Sequence, residues 1–293
     1  MEPDPTPDDA WTARNRDQDG LVLRVETIDV GPHRIHATVE QRGAGRPLLL
    51  INGIGATGEL FRPFRQQIAD RETIAFDAPG VGSSSTPILP PTMRQLASVV
   101  ARMVADLGHE EVDVLGISWG GALAQEMTRR HPRLVRRLVL AATLPGVTAV
   151  LGNPTALSLL VSPMRYYSPS YLERVAPALY GGDILDHPDV LAEQSYVRSN
   201  RAPSMLGYLY QLMAIATWTS LPWMRRCRQP TLVLTGTDDP IIPVANGRIL
   251  ASGYPNARLE IVEGGGHLFL FTTPERSARL VLDFLDDPTL DDG

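Results

Sequence analysis

The chain has 293 residues, of which 43% are hydrophobic and 20% charged, and its formal net charge is −6. This is the composition of an ordinary globular protein, and an acidic balance without a basic cluster excludes nucleic acid as an expected partner. No apolar run approaches the roughly 20 residues that a membrane-spanning helix needs. The single cysteine, Cys227, excludes an internal disulfide and a cysteine-based metal cluster.

The two ends of the chain are acidic. Residues 1–20 are also rich in proline and lack the positive and apolar regions of a secretory signal, so we predict a disordered tail there. A second acidic, disordered tail is predicted over residues 288–293. Such a chain is expected in the cytoplasm.

The predicted elements begin with two strands of alternating polarity, in 21–30 and 33–43, typical of an antiparallel pair at a sheet edge. Runs that are apolar on both faces, typical of buried parallel strands, then follow at 47–53, 72–77, 112–118, 136–143, 230–236 and 258–264. Helical patterns occur between or after them at 59–70, 92–108, 119–130 and 274–287. This alternation predicts an α/β fold with a mostly parallel, doubly wound sheet.

The alternation fails over residues 146–222. This segment carries prolines at intervals and many large side chains, and it contains no strand pattern. We therefore predict a helical cap inserted between two core segments, 21–145 and 223–287. Its expected place is over the carboxyl ends of the strands, where open α/β sheets bind ligands.

A serine in a glycine-rich turn is the first candidate catalytic residue. Gly116-Ile117-Ser118-Trp119-Gly120 fits the pattern G-x-S-x-G, with an apolar strand before it and a helix after it. The glycines let a strand turn abruptly into a helix, which strains the backbone and lifts the serine hydroxyl above the sheet. The alternative is an ordinary strand-to-helix loop, since a serine hydroxyl needs a base to become a good nucleophile.

Three histidines follow Ser118 and are candidates for that base. His131 ends the helix that the serine begins, about 20 Å away at 1.5 Å per residue. His187 precedes a proline within the predicted cap, which is typical of a solvated turn. His267 directly follows the last apolar strand and its glycines, so its loop is expected at the same end of the sheet as Ser118. We predict that His267 is the general base.

The acid that orients the imidazole is expected after the penultimate strand, in the sequence TGTDDP. Both Asp238 and Asp239 are candidates, and a turn alone also explains the two aspartates. In folds of this kind the acid usually stands three residues after the strand-ending glycine and four before a proline. Counting from Gly236 and Pro243 favours Asp239. The chain order serine, acid, histidine is that of the α/β-hydrolase triad.

Acyl transfer also needs hydrogen-bond donors for the developing oxyanion. The residue after the nucleophile supplies one main-chain N–H, here that of Trp119. The loop after the strand at 47–53 is expected to supply the second, from Ile54. No pair of histidines has metal-ligand spacing and no glycine pattern cradles a phosphate, so we predict neither a metal nor a cofactor.

Taken together, these motifs resemble the α/β-hydrolase superfamily over nearly the whole chain. Within it, the sequence is similar to the intracellular poly(3-hydroxyalkanoate) depolymerases associated with medium-chain polymers. The matching stretches are LLLINGIGA (48–56), IAFDAPGVGSSSTP (74–87), VDVLGISWGGALAQE (112–126), LVLAATLPG (138–146), GYLYQLMAIATWTSLPW (207–223), PTLVLTGTDDPIIP (230–243) and GGGHLFLFT (264–272). The stretches NGIGA, SWGGALAQ and YQL…WTS are more distinctive than the triad itself.

The resemblance implies a serine esterase acting on storage polyester in cytoplasmic granules, with the polymer and the granule surface as partners. The catalytic residues carried over by motif are Ser118, Asp239 and His267. An alkyl-branched polyester needs an apolar, adaptable channel, for which Tyr208, Met213 and Trp218 are candidates. For any one of these three, packing within the cap is the alternative.

Two other functions remain open at this point. One is hydrolysis of small carboxyl esters or lactones by the same catalytic residues. The other, from a different class, is a catalytically silent ligand-binding protein of the same fold. Every catalytic position is filled, which favours an enzyme.

Overall fold

The computed structural model describes residues 22–290. Eight strands form one sheet in the order β1-β2-β4-β3-β5-β6-β7-β8. The strands are β1 Val22–Val30, β2 His33–Gln41, β3 Gly45–Ile51, β4 Arg71–Phe76, β5 Val112–Ile117, β6 Val135–Ala141, β7 Thr231–Gly236 and β8 Ala257–Val262. β2 pairs antiparallel with both β1 and β4, and the remaining pairs are parallel.

The helices of the described residues lie on both faces of the sheet and in the segment between β6 and β7. They are α1 Arg62–Gln66, α2 Met93–Asp106, α3 Trp119–Arg130, α4 Pro154–Val161, α5 Pro169–Tyr180, α6 Pro188–Asn200, α7 Met205–Ala216, α8 Val244–Gly253, α9 Phe269–Thr272 and α10 Pro274–Leu285. Within residues 22–290, every helix is too short or too polar to cross a bilayer.

Two apolar clusters, one on each face, hold the helices to the sheet. Along β3, Leu49 and Ile51 belong to one cluster, and Leu48 and Leu50 belong to the other. Because side chains alternate across a strand, a run that is apolar at every position must be covered on both faces. The prediction of a doubly wound, mostly parallel sheet with an antiparallel pair at its edge is confirmed.

We refer to residues 146–222, between β6 and β7, as the cap. It contains α4 to α7 and short 3-10 turns, and residues 142–230 form no strand beyond an isolated bridge between Gly146 and Thr219. One close approach to the core is at Gly80 and Gly207, where a Cβ on Gly80 would lie 2.5 Å from the Gly207 Cα. Ser204 N–H donates to the Gly80 carbonyl over 2.9 Å at the same place. Glycine at both positions therefore lets the two backbones touch.

The tail predicted for residues 1–20 lies outside the described residues, and so do 291–293. Residues Pro288–Leu290, which we predicted to be part of a disordered tail, instead form one 3-10 turn. The Asp287 carboxylate organises it by accepting a hydrogen bond from Thr289 N–H over 3.0 Å. The side-chain hydrogen bonds from Thr289 and Arg258 hold the pKa of Asp287 at about 2.

Candidate active site

Ser118 stands at the turn between β5 and α3 with φ 55° and ψ −121°, a conformation that costs a non-glycine residue about 1–3 kcal/mol. Close packing around it requires glycine: a Cβ on Gly120 would lie 2.1 Å from the Ile51 carbonyl oxygen. The Ser118 carbonyl is held by the Thr143 hydroxyl at 2.6 Å and by Gly121 N–H at 3.0 Å. The strain places the serine side chain at the carboxyl edge of the sheet.

His267 and Asp239 form a buried pair at the same edge. The imidazole Nδ1 lies 2.7 Å from Oδ2 of Asp239. The other oxygen, Oδ1, accepts main-chain hydrogen bonds from Ile241 at 2.8 Å and Ile242 at 2.9 Å, which fixes the carboxylate. Asp238 is exposed, so Asp239 is the aspartate in contact with His267. A carboxylate at Nδ1 leaves Nε2 as the nitrogen available to exchange a proton.

Ser118 and His267 line one small cavity. Its volume is about 30 Å³, space for roughly two water molecules. The loop after β3 passes directly over the serine, because a Cβ on Gly53 would lie 3.5 Å from the Ser118 Cβ. The remaining lining residues are Asn52, Ile54, Ala56, Ile117, Leu160, Arg165, Tyr166, Tyr180, Arg198, Leu268 and Phe271.

The loop after β3 is braced from both of its ends. The Asn52 amide donates to the Thr57 carbonyl at 2.7 Å, and its oxygen accepts from Gly53 N–H at 2.8 Å. Gly55 N–H donates to Oε1 of Gln211, in α7, over 2.6 Å. Among residues 22–290 no acceptor bonds the main-chain N–H of Ile54.

Trp119 is the first residue of α3, where a helix leaves its N–H groups without an internal acceptor. Its indole Nε1–H donates to the Gln211 carbonyl over 3.0 Å. The main-chain N–H groups of Ile54 and Trp119 therefore remain available beside Ser118 for a ligand oxygen.

The cap contributes four large polar side chains to the cavity wall, and sequence reasoning missed the two arginines among them. The four are Arg165, Tyr166, Tyr180 and Arg198. The Tyr166 hydroxyl donates to the Ile54 carbonyl over 2.5 Å. His267 N–H donates to the main-chain oxygen of Tyr180 over 2.7 Å. The cap thus contacts both the loop after β3 and the loop that carries His267.

The three residues predicted for a substrate channel do not line this cavity. Tyr208 is buried behind Tyr166, with its hydroxyl accepting from Arg165 at 2.8 Å, and burial raises its pKa to about 12. Trp218 is buried and donates to Glu126 over 2.9 Å, whereas Met213 is exposed on α7. Their role in substrate contact stays a prediction.

Other conspicuous polar residues have positions outside the cavity. Asp77, after β4, accepts from Gly58 N–H at 2.9 Å and Ser83 N–H at 3.0 Å, so it braces its turn, and burial raises the pKa of its carboxyl. His131 ends α3, and His187 lies 3.4 Å from Asp183 within the cap. Neither histidine lines the cavity with Ser118.

The parallel sheet, the strained serine after β5 and the acid and histidine after β7 and β8 define an α/β hydrolase. The family described as "alpha/beta hydrolase fold" matches residues 46–274, and the chain belongs to it. The poly(3-hydroxyalkanoate) depolymerase of Ectopseudomonas oleovorans is 47% identical over 241 residues, covering 82% of this chain and 84% of that protein. The resemblance seen in the sequence is thereby confirmed.

Solved structures show the same fold at lower identity. The enol-lactonase from Burkholderia xenovorans LB400 aligns with a TM-score of 0.77 at 24% identity, over 89% of this chain and 100% of that chain. The bromoperoxidase from Bacillus anthracis aligns with a TM-score of 0.78 at 19% identity, over 90% of this chain and 100% of that chain. At these identities the likeness establishes the fold alone.

Proposed function

We propose that this protein is a serine esterase that hydrolyses the ester bonds of poly(3-hydroxyalkanoate) through an acyl-enzyme. The observation that carries the proposal is that His267, whose imidazole lies 2.7 Å from Asp239, lines the same cavity as the strained Ser118. The 47% identity to a poly(3-hydroxyalkanoate) depolymerase supports the choice of substrate.

In the proposed acylation, Ser118 Oγ attacks an ester carbonyl while His267 Nε2 accepts the hydroxyl proton. Asp239 keeps the other ring nitrogen protonated and stabilises the imidazolium that forms. The carbonyl oxygen, now negative, accepts hydrogen bonds from the N–H groups of Ile54 and Trp119. Collapse of this tetrahedral intermediate breaks the bond from the carbonyl carbon to the 3-oxygen of the leaving unit. That oxygen takes the proton from His267.

Deacylation repeats these steps with water as the nucleophile. His267 accepts a proton from the water as the water oxygen bonds to the acyl carbon. Collapse returns the proton to Ser118 Oγ and releases a carboxylic acid. Neither half of the cycle changes an oxidation state, so the proposed reaction needs no oxidant or reductant.

The apolar part of the cavity wall suits an alkyl-branched acid. Leu160, Leu268 and Phe271 line the cavity together with Ser118 and His267, which is consistent with a medium-chain polyester. Tyr208, Met213 and Trp218 remain candidates for a longer channel that forms when the cap moves. The proposed setting is the cytoplasm, at the surface of storage granules.

The decisive test is incubation of the purified full-length chain with amorphous granules of short- and medium-chain polymer, followed by identification of the released acids. We expect medium-chain 3-hydroxyalkanoic acids or oligomers from the wild type and none from Ser118→Ala. If neither kind of granule releases acid but soluble short esters are hydrolysed rapidly, the substrate is a small ester and not the polymer.

That second candidate, a hydrolase of small esters or lactones, is favoured by one observation. A cavity of about 30 Å³ is smaller than one medium-chain unit. It fits a small ester better than a polymer unless the cap separates from the loop after β3. The granule experiment distinguishes the two because a small-ester hydrolase leaves the polymer intact.

A further inference from the structure

The cap brings two buried cations into the catalytic cavity. Arg165 is 3% exposed and Arg198 is 5% exposed. Among residues 22–290, no Asp or Glu oxygen lies within 4.0 Å of either guanidinium. Buried arginines of the core differ: Arg65 lies 3.3 Å from Glu40, and Arg71 lies 3.5 Å from Asp113. The charge of the cap arginines is therefore left for something else to neutralise.

Three hydrogen-bond donors at this place are also unsatisfied. Within the described residues, Nε of Arg165, Nε of Arg198 and the hydroxyl of Tyr180 are buried without a hydrogen-bond partner. A buried donor without an acceptor is rare in folded proteins and needs an explanation. All three residues line the cavity that contains Ser118 and His267. The missing partner is an acceptor, and two cations in the wall of one cavity indicate that it is negatively charged.

The arginines are held in place before any ligand arrives. Their guanidinium carbons lie 4.8 Å and 5.0 Å from the centre of the Tyr166 ring. Arg165 also donates to the carbonyls of Leu160 and Ser162, at 3.0 Å each. Contacts with a ring face and with carbonyl dipoles stabilise a cation without cancelling its charge. The two guanidinium groups are therefore positioned within the cap and still positive.

We infer that Arg165, Arg198 and Tyr180 form a carboxylate subsite, and that its ligand is the free carboxylate end of a 3-hydroxyalkanoate chain. The inference rests on the proposed esterase function and adds to it the part of the substrate that is recognised. A carboxylate offers two oxygens that match guanidinium N–H groups, and such charge-assisted bonds are stronger than those between neutral groups.

The chemistry of the polyester fixes which side of the scissile bond this subsite serves. Each chain has a hydroxyl at one end and a carboxylate at the other. The carboxyl group of the unit on the acyl side is the one attacked by Ser118, so it is not free. The carboxylate at the arginines must then belong to the leaving unit, whose 3-oxygen stands two carbons away from its carboxylate carbon.

The reaction that follows is stepwise removal of units from the carboxyl end. Ser118 Oγ bonds to the carbonyl carbon of the penultimate unit, and the bond from that carbon to the 3-oxygen of the last unit breaks. His267 gives its proton to that oxygen, and a 3-hydroxyalkanoate leaves. Water then hydrolyses the acyl-enzyme, and the shortened chain carries a new carboxylate at its end. That product is the substrate of the next cycle.

The test compares two soluble substrates, the dimer of 3-hydroxyoctanoate with a free carboxylate and the same dimer as its methyl ester. For the wild-type full-length protein we expect kcat/KM for the free acid to exceed that for the methyl ester by about tenfold or more. In Arg198→Met that ratio should fall to near one. A purely structural arginine would lower both rates together and leave the ratio unchanged.

Arg198 is the better position to change because its one side-chain hydrogen bond is to Gln194 of its own helix, at 2.9 Å. Arg174→Met is the matched control, since Arg174 is an exposed arginine of the cap that does not line the cavity. It should keep the wild-type ratio. Inhibition by free 3-hydroxyoctanoate, but not by its methyl ester, gives a measurement on the wild type that needs no variant.

A wild-type ratio near one, or a ratio that survives Arg198→Met, overturns the subsite. These results are separable from failure of the proposed function. If the protein prefers the free acid among the dimers but releases nothing from granules, the subsite is supported and the polymer is not the substrate. If the protein degrades granules but has equal kcat/KM for the free acid and the methyl ester, the polymer is the substrate and the subsite is wrong.

Discussion

The core and the cap treat buried charge in opposite ways. In the core, both oxygens of the buried Asp113 are occupied by Arg136, at 2.9 Å and 2.7 Å, and Arg71 stands 3.5 Å away. In the cap, Arg165 and Arg198 have no carboxylate among the described residues. A buried ion pair offsets the cost of taking its own charges out of water, whereas a buried cation without a carboxylate leaves an anionic ligand to do so.

The same contrast divides the walls of the cavity. The core wall carries Ser118 and His267, the proposed nucleophile and general base, which are common to every ester substrate. The cap wall carries the arginines, which favour substrates with a free carboxylate. Changes in the core should therefore affect every substrate or the stability of the fold, and changes in the cap should affect the choice among substrates.

The largest effect is expected from Ser118→Ala. Loss of the nucleophile should lower kcat/KM by about 10⁴-fold or more for the free acid and the methyl ester alike, because both use the same attack. A fluorophosphonate probe should label the wild type at Ser118 and fail to label the variant. Labelling of another serine would contradict the assignment.

The next effect is expected from Asp239→Asn. An amide at Nδ1 favours the wrong tautomer of His267, so kcat should fall by about 10³-fold on both substrates. Asp238→Asn is the matched control because Asp238 is an exposed neighbour. It should stay within about threefold of the wild type in a steady-state assay. A larger loss at Asp238 would reassign the acid.

Asp113→Asn and Arg198→Met compare the stability contributed by a paired charge of the core with that of a cap arginine. Removing the negative partner from the buried arginines should lower the free energy of unfolding by about 3 kcal/mol or more. Removing Arg198 takes away a cation without a carboxylate partner, so we expect a change of less than about 1 kcal/mol. Urea unfolding followed by circular dichroism measures both. A loss at Arg198 equal to that at Asp113 would assign it a structural role.

The smallest effect is expected from Tyr166→Phe, which removes the hydrogen bond to the Ile54 carbonyl and keeps the ring beside both arginines. Loss of one neutral hydrogen bond is worth about 1 kcal/mol, so kcat should change by less than about tenfold. The ratio of free acid to methyl ester should stay that of the wild type. A collapse of this ratio would show that the hydroxyl itself contacts the carboxylate.

The core could be predicted from the sequence because strand periodicity and chain order are local signals. Ser118, Asp239 and His267 each follow a predicted parallel strand, and the carboxyl ends of parallel strands share one edge. The helix α8 was missed because Asn246, Gly247 and Gly253 are poor helix formers. It forms against β7, where Gly247 lets the helix approach: a Cβ there would lie 2.9 Å from Thr235 Cγ2.

The cap residues of the site could not be predicted in this way. An arginine in a helical pattern is usually a solvated surface residue, and nothing local distinguishes Arg198 from Arg174. Their difference depends on long-range packing, which places one over Tyr166 and leaves the other outside. Tyr208, Met213 and Trp218 were proposed as apolar, adaptable side chains, whereas the cavity wall is set by which side of each helix faces Ser118.

Gln211 makes the cap less interchangeable than an insertion between two strands would suggest. Its side chain accepts from Gly55 N–H and its carbonyl from the Trp119 indole. One residue of α7 therefore contacts the residue after Ile54 and the side chain of Trp119, and Ile54 and Trp119 are the two proposed oxyanion donors. A chimera that grafts a foreign cap onto this core would need to reproduce those two bonds. Replacing the cap to change the choice of substrate would therefore also change the supports of the proposed oxyanion donors, unless the new cap keeps a glutamine at this position.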